Sequence, residues 1–206
     1  VIVMPRTTPS IKVDAVRHYG ARIVLAGDAY DEACDHAMRL AGKEGMLFIH
    51  PYDDPVVIAG QGTVGLEILR QHKDHLHAVF VPVGGGGLLA GVAACVKALQ
   101  PSIRVIGVEP EEAPCMYEAL KRHRRVMLRE VGIFADGVAV RQAGREPYRI
   151  ASKHVDDMVL VSTDERPSLT ERWQGIDLER RRNLGLLADD AAADAALVRR
   201  SNDRGR

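Results

Sequence analysis

The stretch Val81-Pro82-Val83-Gly84-Gly85-Gly86-Gly87-Leu88-Leu89-Ala90-Gly91 (VPVGGGGLLAG) sets four glycines in a row between two apolar runs. Glycine loses more backbone entropy on ordering than any other residue, so such a run stays ordered only where something requires it. Residues 78–83 read as an apolar strand, 87–99 as a helix and 104–108 as a second apolar strand. Two all-apolar strands joined by a helix make a βαβ unit with a parallel sheet buried on both faces. The glycines therefore stand where a strand ends and a helix begins. Backbone N–H groups at a helix start carry partial positive charge, and glycine lets an anion come close to them. The run predicts a phosphate cradle made of backbone alone; the competing reading is a tight turn with close packing.

Two kinds of phosphate site can be compared with it. A Walker loop needs Lys-Ser/Thr after its last glycine, and Leu88-Leu89 stand there instead. Gly85-x-Gly87-x-x-Ala90 fits the loose dinucleotide fingerprint, with Glu109 at the end of the next strand placed to take a ribose hydroxyl. On the residues alone that reading stays open.

Outward from the glycine run the pattern keeps alternating. Residues 1–4 and 22–25 read as strands. Helices are expected over 11–19, capped by Ser10, and from Asp28 to about Leu40, ended by Gly42. Residues 46–49 read as a strand, and the run HPYDDPVVIAGQGT (50–63) as a loop before a helix over 63–71. Further helices are expected over 113–122 and 146–154, and a strand over 158–161. The fold class is α/β: an open, mainly parallel twisted sheet with helices on both faces. His50, Asp53 and Asp54 look like a metal cluster, but two prolines frame them and turn formation or helix capping explains them better.

The chain has 206 residues, with 28 basic and 28 acidic side chains. That balance provides no global field toward nucleic acid or an acidic membrane. No apolar run reaches the roughly 18 residues of a membrane span. Cys34, Cys95 and Cys115 form no CxxC pair, which argues against a disulfide framework or zinc site and for a reducing, cytoplasmic setting. The chain opens on a strand-like Val1-Ile2-Val3-Met4, with the expectation that further sequence precedes it. After about residue 165 the pattern breaks into an arginine-rich, lysine-free tail. Three parts are expected: 1–55 as the C-terminal part of a small α/β domain, 56–165 as part of a large phosphate-binding domain, and 166–206 as an atypical, out-of-frame or foreign tail.

Several strings in order narrow the choice. FVPVGGGGLLAGVA, followed by IRVIGVEPE, preceded by HPYDDPVVIAGQGT and followed by GIFADGVAV, resembles the pyridoxal-phosphate-dependent (fold type II) family of threonine dehydratases, or threonine ammonia-lyases. The family also contains serine racemase. The resemblance runs from Val1 to about Glu165 and marks the chain as an internal fragment of such an enzyme. It implies pyridoxal 5'-phosphate as cofactor, with its phosphate on the backbone N–H groups of Gly84, Gly85, Gly86, Gly87 and Leu88. A side chain at Gly85 is then expected to fill the space the phosphate needs. Gly137, in ADGVAV, is placed beside the cofactor ring. AGQGT (59–63) is a family signature read as scaffold. The resemblance further implies a monovalent or divalent cation held by Glu109, the Ala113 carbonyl and a later carboxylate, where this chain has Cys115.

The implied reaction is α,β-elimination on L-threonine or L-serine, in isoleucine biosynthesis or threonine catabolism, by a homo-oligomer. Serine racemase or a hydroxyaspartate-type lyase is the neighbouring alternative. The family's Schiff-base lysine lies in a Ser-Phe-Lys-x-Arg-Gly motif, which does not occur among residues 1–206. No catalytic residue is therefore assigned, and the chain by itself is expected to be inactive.

Overall fold

The computed structural model describes residues 1–72, 76–132 and 137–162. The expected tail, 166–206, lies outside the described residues, as do Ala135 and Asp136 of ADGVAV.

Eleven elements follow one another among the described residues: β1 (Ile2–Met4), α1 (Ser10–His18), β2 (Ile23–Leu25), α2 (Tyr30–Glu44), α3 (Pro55–Gln71), β3 (Ala78–Pro82), α4 (Gly87–Leu99), β4 (Arg104–Pro110), α5 (Cys115–Lys121), α6 (Arg145–His154) and β5 (Asp157–Val161). They form two open, all-parallel sheets, β1-β2 and β3-β4-β5. Phe80 pairs with Ile106, and Val108 with Val159. The parallel α/β class is as the sequence predicts.

The core gathers around α4 and the central strand β4. Leu89, Val92, Ala93 and Val96 of α4 are buried together with Val81, Val105, Ile103 and Met116. A helix buried this completely explains why its sequence is apolar all round. At its C-terminal end, Lys97 Nζ donates to the Ile103 carbonyl (2.8 Å) and pairs with Asp156 (2.7 Å), while Asp156 Oδ2 accepts from Val105 N (2.6 Å). That network ties α4 to the start of β4 and to the residue before β5.

Five local expectations fail. Neither Ser10 nor Asp28 caps its helix: the cap positions are Pro9 and Ala29, and neither makes a side-chain cap bond. Residues 46–49 form no strand: no described strand lies alongside to supply hydrogen bonds, and Leu47 and Ile49 are exposed. The second helix continues through Gly42 and ends where Gly45 adopts the left-handed conformation (φ 65°). The run 50–63, read as a loop, is one only through Asp54; from Pro55 on it is the first half of α3. Asp54 caps that helix, accepting from Val56 N (2.7 Å), and Pro55 occupies the first helical position, where no N–H is needed. Glycines inside α3 disfavour a helix locally, but they let α4 approach. A Cβ on Gly91 of α4 would run into the Ile58 carbonyl of α3. The AGQGT segment is thus helix-packing surface, consistent with a scaffold role.

Candidate functional site

The glycine run lies between β3 and α4. Val83 N still donates to the Val108 carbonyl (2.9 Å), so the sheet holds the chain up to the residue before the run. Gly86 then turns at φ 94°, a conformation side chains rarely adopt, and α4 starts at Gly87. The carbonyls of Gly84, Gly85 and Gly86 are engaged, each by a different segment. Cys115 Sγ donates to Gly84 O (3.3 Å), Gly144 N to Gly85 O (2.9 Å) and Ala90 N to Gly86 O (2.9 Å). The amides are not engaged. Among the described residues, the N–H groups of 84–88 donate to no protein acceptor, although Gly85, Gly86 and Gly87 are buried.

A buried N–H without an acceptor costs about 1–3 kcal/mol. Several together, at the positive end of a 13-residue helix, form an arrangement that could hold an anion. The five amides that the resemblance assigns to a phosphate thus stand together, without acceptors among the described residues.

Two neighbours shape this cradle. Val138 Cα lies 3.0 Å from where a Cβ on Gly84 would stand, which places the segment following Gly137 against the loop. Around Gly137 itself a Cβ would meet nothing within 4 Å. The second neighbour is Tyr52, which sequence reading missed. A Cβ on Gly85 would collide with the Tyr52 ring, and one on Gly87 would stand 2.9 Å from the Tyr52 carbonyl. A side chain at Gly85 would thus have to displace Tyr52.

Tyr52 is held by its surroundings. The His50 ring packs against it edge-on at 4.6 Å and the Tyr30 ring lies at 5.9 Å. Burial pushes the Tyr52 phenol up to about 12, so it stays neutral. His50 Nδ1 accepts from Asp53 N (2.9 Å) and Tyr52 N (3.3 Å). Burial lowers its pKa against the opposing pull of Asp53 and Asp54. Asp54 caps α3. Asp53 reaches much farther, accepting from Arg145 N (2.7 Å) and Glu146 N (2.8 Å) at the start of α6. The His50, Asp53 and Asp54 trio is thus accounted for by turn and capping bonds.

Glu109 is fully buried at the end of β4. Its Oε1 accepts from Met116 N and its Oε2 from Tyr117 N, both at 2.8 Å, capping α5. Burial pushes its carboxyl up to about 7, against the lowering effect of those amides and of the Cys115 thiol. Burial, then the neighbouring Glu109, keeps the Cys115 thiol protonated, and so a donor to Gly84 O. The Ala113 carbonyl accepts from Cys115 N (3.0 Å). Among the described residues no group of three or more His, Cys, Asp or Glu side chains is placed to hold a metal ion. Glu109 is fully buried and turned to the α5 amides, so it presents no accessible acceptor to a ribose, which removes the support for the dinucleotide reading.

Of the described lysines, Lys97 lies ten residues along α4 from Gly87, about 15 Å at the helical rise, and is tied down at that end. Lys121 sits over the Tyr117 ring.

These features can be set beside known proteins. The chain is 52% identical over 167 residues to the biosynthetic L-threonine dehydratase IlvA of Burkholderia multivorans, covering 80% of this chain and 33% of the relative. It is 57% identical over 164 residues to the biosynthetic chloroplastic threonine dehydratase of Arabidopsis thaliana, covering 80% of this chain and 28% of the relative. Among solved structures, the processed form of threonine deaminase isoform 2 from Solanum lycopersicum superposes with a TM-score of 0.74 at 52% identity, covering 80% of this chain and 48% of that one. The chain spans about a third of the length of the curated relatives it matches. Residues 1–170 match the family model described as pyridoxal-phosphate dependent enzyme. With a glycine run at the β3–α4 junction and a family match over most of its length, the chain belongs to the pyridoxal-phosphate dependent enzyme family.

Proposed function

We propose that this chain supplies the phosphate-binding part of a threonine dehydratase, and that the whole protein converts L-threonine to 2-oxobutanoate and ammonia, with L-serine as a second substrate. The observation that carries this reading is the set of amides at 84–88, three of them in buried residues, with no acceptor among the described residues, in a chain more than half identical over the aligned residues to two threonine dehydratases. Bound pyridoxal 5'-phosphate would supply stabilisation of negative charge at the substrate α-carbon. The role of this chain's residues is to bind and orient. The amides of Gly84, Gly85, Gly86, Gly87 and Leu88 would hold the phosphate, and the engaged carbonyls of the run keep those amides in place. Gly137 would border the cofactor ring from the neighbouring segment. Tyr52, packed over Gly85 and Gly87, would exclude water from the loop.

Glu109 serves in this reading as the buried cap of α5 and not as a cation ligand. The cofactor's reactive lysine and the residues that hold the ring hydroxyl would come from sequence outside these 206 residues.

The test uses two ligands that differ by the phosphate alone. Titration calorimetry of the 206-residue chain should show saturable binding of pyridoxal 5'-phosphate and none of pyridoxal at the same concentrations. Equal binding of the two would remove the phosphate cradle from the account.

A further inference from the structure

Asp53 and Asp54 are neighbours that do different work. Asp54 caps the helix it precedes, α3, by bonds to residues two and three positions on. Asp53 crosses 92 residues of sequence to accept from Arg145 N and Glu146 N with its two oxygens. Those amides open α6, where Gly144 provides no side-chain cap of its own. Gly144 in turn donates to the Gly85 carbonyl (2.9 Å), and a Cβ on Gly144 would lie 3.0 Å from Asp53 Cγ. On the other side, Asp53 is joined directly to Tyr52, whose ring and backbone cover Gly85 and Gly87. The Gly144 amide that holds the Gly85 carbonyl thus lies next to the amides that the Asp53 carboxylate accepts, and Tyr52 lies next to Asp53 in the chain.

We infer that Asp53 is a positioning residue for the anion cradle. Its carboxylate locks the segment 144–146 and the segment 50–54 against the glycine run, and so fixes the direction of the amides at 84–88. The inference rests on the phosphate-cradle reading of that loop for its ligand, and on the hydrogen-bond circuit alone for the clasp. Carboxylate-to-amide bonds of this kind are among the stronger ones in proteins. An ordered set of donors binds more tightly because less order has to be imposed on binding.

Asp54 provides a matched control, since its loss also removes a helix cap but leaves the circuit intact. Asp53→Ala, Asp53→Asn and Asp54→Ala would be prepared in the 206-residue chain and their folding checked by circular dichroism. Two readouts follow: amide hydrogen exchange at Gly144 without ligand, and the dissociation constant for pyridoxal 5'-phosphate at a temperature where each chain is folded. Asp53→Ala should speed exchange at Gly144 and weaken cofactor binding by about tenfold or more. Asp53→Asn, which keeps one acceptor oxygen, should fall between it and the parent. Asp54→Ala should leave both readouts within about twofold of the parent.

Gly144 exchange that is unchanged in Asp53→Ala overturns the clasp whatever the ligand result. Equal losses of affinity in the Asp53 and Asp54 variants also overturn it, since both would then act through stability. If the parent binds no pyridoxal 5'-phosphate, the cradle reading fails separately and the exchange result alone decides the clasp. Unfolding of both Asp53 variants would make the residue part of the global fold and overturn the assignment.

Discussion

Gly86 and His50 show how single residues hold the site. Gly86 takes φ 94°, and a Cβ there would also crowd Met116. Gly86→Ala should therefore cost about 1–3 kcal/mol of stability through backbone strain, read as a lower urea midpoint. His50 carries a different kind of prediction. Its folded-state pKa lies below its ordinary value because burial disfavours the charged ring, and its Nδ1 accepts two amides. An unfolded chain takes up the proton near pH 6.5, while the folded chain resists it. His50 thus contributes stability that is present above about pH 6.5 and is lost as pH falls through the lowered value. Urea midpoints from pH 8 to pH 5 should fall more steeply for the parent than for His50→Asn. Parallel profiles would mean that the ring accepts a proton without disturbing the turn.

At the scale of elements, the contact of α3 with α4 decides what the sequence could reveal. Local propensity argues against a helix over Ala59-Gly60-Gln61-Gly62, and reading those residues alone yields a loop. The helix exists because glycines on facing sides let two backbones approach, a contact made with residues about 30 positions away in the chain. The same element separates two glycine substitutions. Gly60 is exposed within α3 and a Cβ there meets nothing within 4 Å. Gly60→Ala should stabilise the chain by about 0.5–1 kcal/mol. Gly91→Val would drive α4 off the Ile58 carbonyl and should destabilise by about 1–3 kcal/mol or more. Denaturation curves of the two variants, moving in opposite directions from the parent, would check this. The strands around the glycine run were readable for the converse reason: apolar runs such as 78–83 and 105–108 favour burial, and a βαβ unit is the simple way to bury both.

For the whole molecule, the phosphate loop was legible because its chemistry is written in one contiguous stretch. Its clamps were not. Tyr52, Asp53, Cys115 and Gly144 meet the loop from three other segments, and no local pattern marks a capping bond spanning 92 residues. Glu109 was visible as a strand-end acid, but its burial and its use as the α5 cap depend on the tertiary arrangement. At this scale the chain also carries an activity prediction. With pyridoxal 5'-phosphate and L-threonine, the 206 residues by themselves should release 2-oxobutanoate no faster than the free cofactor does, since they contain no Ser-Phe-Lys-x-Arg-Gly lysine. Turnover well above that rate would require a catalytic base that this account does not identify.

The central claim is that the amides at 84–88 are the anion's ligands, and it can be measured at those amides. Isotope-labelled chain titrated with inorganic phosphate, then with pyridoxal 5'-phosphate, should show nitrogen–proton resonances of Gly84, Gly85, Gly86, Gly87 and Leu88 moving together and saturating. The cofactor should saturate them at the lower concentration. Resonances that stay in place at 84–88 while others move would contradict the account.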